Sequence, residues 1–285
     1  MIVLSTRVYD SMTGSSNWVP MGDIAEGYGA NRMEATDSLS GREFTLNFED
    51  DSSVRYEFID GETLKWTVMG GTGGEESAEG SYNATLPREE IYFVDFMKTD
   101  EERTSVSLSL DFERGVATAV TATIPSSKEE MPTLLLENAM ADESLSAGEY
   151  EVRSATIDEP FTDSAELHGR TNELTGKRVK YTYSDNSIYE HIYLNDGCFV
   201  WHCLEGEEKD IAEATPCTYY EIADSLYLLV WGEIVLPVIG VILIDLRALK
   251  TTGKMLCDDK NDFENAVNIP MGAHAEPLNV TPSIR

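Results

Sequence analysis

The chain repeats itself. Residues 39–58, "LSGREFTLNFEDDSSVRYEF", find a counterpart in residues 174–191, "LTGKRVKYTYSDNSIYEH", with Leu39 and Gly41 preceding Leu174 and Gly176 by 135 positions. The same spacing joins Trp66 to Trp201, Tyr92 in "IYFVDF" to Tyr227 in "LYLLVW", and Val106 in "VSLSLD" to Val241 in "VILIDL". Separated landmarks in one register describe two copies of one folding unit. They divide the chain into an N-terminal extension (1–38), a first unit (39–125), a linker with room for a helix (126–173) and a second unit with its C-terminal tail (174–285).

Each copy consists of short alternating or β-branched runs separated by turn residues. "FTLNF", "VRYEF", "LKWTV", "IYFVDF", "VSLSLD" and "ATAVTATI" read as strands in the first, and "VKYTY", "IYEHIYL", "CFVWHC", "CTYYEI", "LYLLVW" and "GVILIDL" in the second. Acidic stretches such as "FEDDSS" and "YSDNS" read as hairpin loops. Six or more strands per copy without a long helical pattern predict an all-β chain of two tandem antiparallel β-barrels.

The repeat also decides how residues 226–246 are read. This run approaches the length of a membrane-spanning helix, but Glu233 and Pro237 interrupt it. The matching part of the first copy is two strands around the polar "MKTDEERTS". Residues 226–232 and 239–246 are therefore expected to be adjacent core strands, and no membrane association is expected. Nor is nucleic acid an expected partner, because 52 acidic against 21 basic residues give a net charge of −31. Those acids are spread along the chain as a solvated surface. The N-terminus lacks the basic and apolar regions of a signal peptide, and the four cysteines form no C-x-x-C pair. Reduced thiols and a cytoplasmic location are expected. The glycine run at 69–76 lacks the lysine and following helix of a phosphate loop and reads as a hairpin tip.

Strand alternation assigns the candidate site. Tyr181 and Tyr183 share a face, as do Tyr189, His191 and Tyr193; Trp201 and His202 take opposite faces. Tyr227, Leu229, Trp231 and Glu233 fall in line if the strand runs regularly to 233. A carboxylate in so apolar a run is costly unless satisfied or used, which makes Glu233 the leading candidate. The first copy has Leu46 and Phe48 opposite Tyr181 and Tyr183, and Thr67 opposite His202. Its lumen reads as greasy and the second as polar, so the second barrel is the expected seat of activity.

The C-terminal half, with "YTYSDNSIYEHIYLN", "PCTYYEIADSLYLLVWGE", "GVILIDL" and "NIPMGA", resembles the C-terminal domain of the MoaF family, named after molybdenum cofactor biosynthesis protein F. The N-terminal half, with "WVPMGDIAEGYGANRM" and "LSGREFTLNFEDDSSVRYEF", resembles that family's N-terminal domain. More distantly, each copy resembles the phenolic acid decarboxylases, which are lipocalin-like (calycin-type) barrels that act without a cofactor. Tyr181 and Tyr183 match that family's tyrosine pair and Glu233 its glutamate, while His202 sits where its arginine would be and Ile234 replaces its proline. Without the arginine, simple decarboxylation of a carboxylate substrate is not expected.

These resemblances imply a cofactor-free lyase, isomerase or cyclase acting on an aromatic or polyunsaturated ligand. Glu233 is its expected general acid or base, Tyr181 and Tyr183 orient the ligand oxygen, and His202 assists. Tyr189, His191, Trp201 and Trp231 are expected to line the pocket. The alternative is a binding protein for a small apolar or aromatic ligand. A metal held by His191, His202 and Glu233 is a weaker third option, since no His-x-His pair occurs; neither metal nor cofactor is expected. The expected partner is a small molecule, with a homodimer allowed for.

Overall fold

The computed structural model describes residues 20–70, 75–131, 135–141, 143–162, 164–260 and 262–282. The N-terminal stretch read for a signal peptide, and residues 71–74 of the glycine-rich tip, lie outside the described residues.

Eight strands form the first barrel: β1 (Glu43–Phe48), β2 (Ser53–Phe58), β3 (Thr63–Met69), β4 (Glu76–Arg88), β5 (Ile91–Met97), β6 (Thr104–Asp111), β7 (Val116–Thr123) and β8 (Glu149–Ile157). Each pairs antiparallel with the next, and β8 returns to β1 with Leu46 opposite Ile157, so no edge is left open. Alternation works as expected. Phe44, Leu46 and Phe48 of β1 join Tyr56 and Phe58 of β2 inside, and their polar neighbours face outward. The segment read as a linker therefore supplies a barrel strand, β8. It also holds the short helix α2 (Leu135–Ala141).

The two-residue β9 (Gly169–Arg170) leads to the second barrel. This contains β10 (Lys177–Ser184), β11 (Ser187–Asn195), β12 (Cys198–Glu205), β13 (Ala212–Ala223), β14 (Leu226–Gly232), β15 (Ile239–Asp245) and β16 (Lys250–Asp258). Its eighth wall is broken in two: β17 (Ala266–Met271) pairs with β16, and β18 (His274–Val280) closes onto β10. Gly41 and Gly176 both sit at positive φ (75° and 83°), which explains why glycine recurs just before the first strand of each copy.

The 135-residue offset holds through β14 and then changes. The loop after β14 is one residue shorter than its counterpart, so Glu233 N bonds Val238 O where Lys98 N bonds Thr104 O. Val106 pairs with Phe96 and faces its lumen, whereas Val241 pairs with Val230 and faces away. Gly240, opposite Trp231, is the true counterpart of Val106.

Val241 faces the other barrel. Outward side chains of β14 and β15 (Leu226, Leu228, Val230, Val241, Leu243) pack against Ile91 and Phe93 of β5 and Val120 and Ala122 of β7 in one buried cluster. Burying each such aliphatic side chain contributes roughly 1.5–3 kcal/mol. These strands are thus apolar on both faces, one for the lumen and one for the neighbouring barrel, which is why the segment mimics a membrane span. Among the described residues no helix is long and apolar enough to cross a membrane. Polar clamps frame the interface: Arg88 grips Asp245 through two nitrogens at 2.8 and 2.9 Å, and Arg103 reaches Asp258 at 3.1 Å. Lys254 is fully buried and donates to Ser105 Oγ at 2.6 Å.

The N-terminal extension is also part of the fold. Helix α1 (Met21–Ile24) and the turns after it cap the second barrel, with Met21, Ile24, Ala25 and Tyr28 in that barrel's core. Gly22 N to Asp259 O (3.0 Å), Gly272 N to Tyr28 O (2.9 Å) and Asn31 Nδ2 to Thr182 O (3.1 Å) hold the cap in place. The chain then crosses to the first barrel, where Thr36 N bonds Ala84 O and Leu39 enters the core.

Candidate active site

Inward-facing residues of β10, β11, β12 and β14 bring Tyr183, Tyr189, His191, Trp201 and Trp231 to one end of the second barrel. Glu233, at the end of β14, joins them in the wall of a narrow pocket. Glu208, from the loop before β13, forms part of the rim; Met21 and Tyr28 of the cap cover it, and Met255 and Met271 complete the opposite wall.

Glu233 is only 8% exposed, and its carboxyl accepts no hydrogen bond of ordinary geometry among the described residues. Burial raises its pKa well above the usual carboxylate range, the charges of Glu213 and Glu208 raise it further, and only the neighbouring Trp231 indole pulls the other way. Glu213 is structural: its Oε1 accepts from Thr215 Oγ1 and from Ile234 N, both at 3.0 Å, and so fixes the backbone that follows Glu233. The indole N–H groups of Trp201 and Trp231 are buried without a hydrogen-bond partner of ordinary geometry among the described residues, and the Trp231 indole neighbours Glu233.

A hydrogen-bonded chain runs along the rim. The Tyr189 hydroxyl donates to Glu208 Oε2 at 2.9 Å and lies 2.6 Å from the Tyr28 hydroxyl, which is left to donate to Tyr189. Burial raises the Glu208 pKa, while the Tyr189 hydrogen bond opposes that shift. His191 is a neutral imidazole, since burial pushes its pKa down to about 3. Its Nδ1 lies 3.4 Å from the Tyr193 hydroxyl.

Two expectations about side chains are corrected. His202 lies on the outer surface of the barrel, 32% exposed, with Nδ1 2.8 Å from Glu190 Oε1; Arg178 completes this external cluster. Neither the assisting role in the lumen nor the His191–His202–Glu233 metal set is assembled. Tyr181 points inward but lies below the pocket, its hydroxyl engaged by Tyr193 at 2.7 Å. Of the tyrosine pair, only Tyr183 reaches the pocket wall. Glu208, Tyr28 and Met21 escaped sequence reading because loop and cap residues carry no strand alternation, and Met255 and Met271 because β16 and β17 are not among the strands read from the sequence. An acidic loop residue among many acids gives no local signal.

Fold and site together define a tandem β-barrel protein whose second barrel holds an aromatic pocket with a buried carboxyl of raised pKa. Residues 16–126 match the MoaF N-terminal domain and residues 168–281 the MoaF C-terminal domain. Protein MoaF of Klebsiella aerogenes is 34% identical over 273 residues, covering 95% of this chain and 98% of that protein. The chain belongs to the MoaF family. A crystal structure of a putative beta-lactamase from Burkholderia vietnamiensis overlaps 39% of this chain and 100% of its own at 14% identity and a TM-score of 0.33, a likeness too slight to inform the reading.

Proposed function

We propose that the second barrel houses a cofactor-free enzyme of small-molecule metabolism, a lyase, isomerase or cyclase, that moves protons on an aromatic or polyunsaturated ligand. The observation that carries this reading is Glu233: a carboxyl in the pocket wall whose pKa burial raises well above the usual carboxylate range, with only the Trp231 indole opposing that shift. Such a group donates its proton to one atom of the ligand and recovers a proton from another, so that the enzyme is unchanged after each turnover. The Tyr183 hydroxyl and the two free indole N–H groups are available to an oxygen on which charge develops. Stacking surfaces from Trp201, Trp231 and Tyr183 suit a flat, unsaturated body. The Tyr28–Tyr189–Glu208 chain leads from the pocket to a half-buried acid, a route for exchange with solvent. Four free cysteines suit a reducing, cytoplasmic setting.

A second reading, ligand storage without turnover, draws on the cap, because residues 20–33 close over the pocket as a lid over a bound molecule. Exchange chemistry separates the two. With 1-tetralone, a neutral aryl ketone, as probe in deuterated buffer, the enzyme reading expects loss of the α-proton NMR signals at a rate that Glu233→Gln lowers by roughly 10²–10⁴-fold. Exchange no faster than in buffer, with the ketone demonstrably bound, selects the storage reading.

A further inference from the structure

The first barrel carries an equivalent pocket in which two cations replace Glu233 and Met271. Following the strand pairings, Phe48, Tyr56, Trp66 and Phe96 stand where the second barrel has Tyr183, His191, Trp201 and Trp231. Lys98 takes the place of Glu233. Arg153, opposite Ala119, takes the place of Met271, opposite Gly253. These residues and Glu151 line one pocket, and no cap residue lines it. The lumen expected to be greasy is therefore aromatic at its base, with Lys98, Arg153 and Glu151 at its mouth.

We propose that this pocket is a second ligand site, selective for a small aromatic anion such as an aryl carboxylate, with the ring between Trp66, Phe96 and Tyr56 and the anionic group at Lys98 and Arg153. Three observations support it. The Tyr56 residue is 4% exposed, lines the pocket and makes no hydrogen bond of ordinary geometry among the described residues. The Arg153 guanidinium is stacked 4.0 Å over the Phe48 ring, and its engaged nitrogen is Nη2, bonded to Asp50 and to Ser52 Oγ; Nε and Nη1 are left to donate. In the three ion pairs at this mouth the cation is the less exposed member, Lys98 at 12% against Asp100 at 37% and Glu101 at 56%, and Arg153 at 31% against Asp50 at 63%. Asp50, Asp100 and Glu101 stand at the rim, while Lys98, Arg153 and Glu151 line the cavity.

This site is independent of the reading given to the second barrel. The test is calorimetric titration of the full-length protein with 2-naphthoate and, as an uncharged match, 2-naphthamide. The naphthoate should bind with one-to-one stoichiometry and at least about tenfold more tightly than the amide, the scale of one charge-assisted pairing. Lys98→Met and Arg153→Met should each remove most of that preference while leaving amide binding in place, and Glu233→Gln should leave naphthoate binding unchanged. Retained amide binding also serves as the folding control for both variants. Equal affinities for acid and amide, no saturable naphthoate binding, or naphthoate binding lost in Glu233→Gln would each overturn the proposal.

Discussion

Gly240 and the Trp231 indole occupy one space: a Cβ on Gly240 would lie 2.1 Å from the ring. In the first barrel the equivalent pair is Val106 beside Phe96, a smaller ring with room for a side chain. The second barrel thus enlarges one aromatic wall of its pocket and removes the side chain opposite. Gly240→Ala should push Trp231 off its place, with an overpacking cost of about 1–3 kcal/mol. Urea unfolding measures the loss, and a shifted tryptophan emission would report the displaced ring.

The acids of the second pocket set a pH dependence of definite sign. Burial raises the folded-state pKa values of Glu233, Glu208 and Glu213. Unfolded, each ionises near the ordinary value of about 4.3. Between that value and the raised one the folded state holds more protons, so stability is greatest below it and falls as pH rises. Glu233→Gln should flatten this decline in Tm from mildly acidic to neutral pH, with a Tm at pH 7 no lower than the parent's. A variant that melts well below the parent at pH 7 would mean that Glu233 is a structural partner.

The cap should contribute to the stability of the second barrel. Tyr28 packs on Tyr183 and Tyr189 with ring centroids 5.1 and 5.8 Å away. Tyr28→Ala removes that packing and should cost about 3 kcal/mol, as for other large aromatic truncations. Tyr28→Phe should cost only about 1 kcal/mol, because Tyr189 still donates to Glu208. Chemical denaturation of both variants separates packing from hydrogen bonding.

Arg88 and Asp245 tie the barrels together across a largely dehydrated contact, with Asp245 1% exposed. Arg88→Met leaves Asp245 buried with only the backbone N–H groups of Arg247 and Ala248, and should destabilise the protein by about 3 kcal/mol. The Arg88 and Ala248 bonds also hold the Asp245 pKa down, so this contribution fades as pH falls through the acid range. Melting curves of parent and variant should converge at low pH.

His202 supplies a negative control. It sits on the outer face with Glu190 and Arg178, so His202→Gln should leave ligand exchange in the second barrel unaltered and cost no more than about 1 kcal/mol. Loss of exchange in a folded His202→Gln protein would contradict its external placement.

Much of the architecture was legible because a barrel strand writes its fold locally. Alternation in β1, β10 and β11 named the lumen residues, and the repeat carried that reading to both copies. Glu233 was legible for a related reason: a lone acid inside an apolar run stands out whatever the run becomes. His202 was misplaced because resemblance put it at an arginine position, although alternation already set it opposite Trp201. The one-residue shortening after β14 was invisible as well, since Val106 and Val241 match in type while facing different surroundings.

The sequence by itself determined the doubled barrel, the inward set of aromatics and the acid at the end of β14, because these follow from periodicity within and between short segments. Tertiary structure alone decided that β8 comes from the supposed linker, that residues 20–33 cap the far barrel, and that Glu208, Glu213 and Glu233 share one buried neighbourhood. It also decided that Lys98 and Arg153 meet at the mouth of the first barrel. Those features depend on which distant segments meet, and both the charge state of a carboxyl and the field at a pocket mouth are set by neighbours in space.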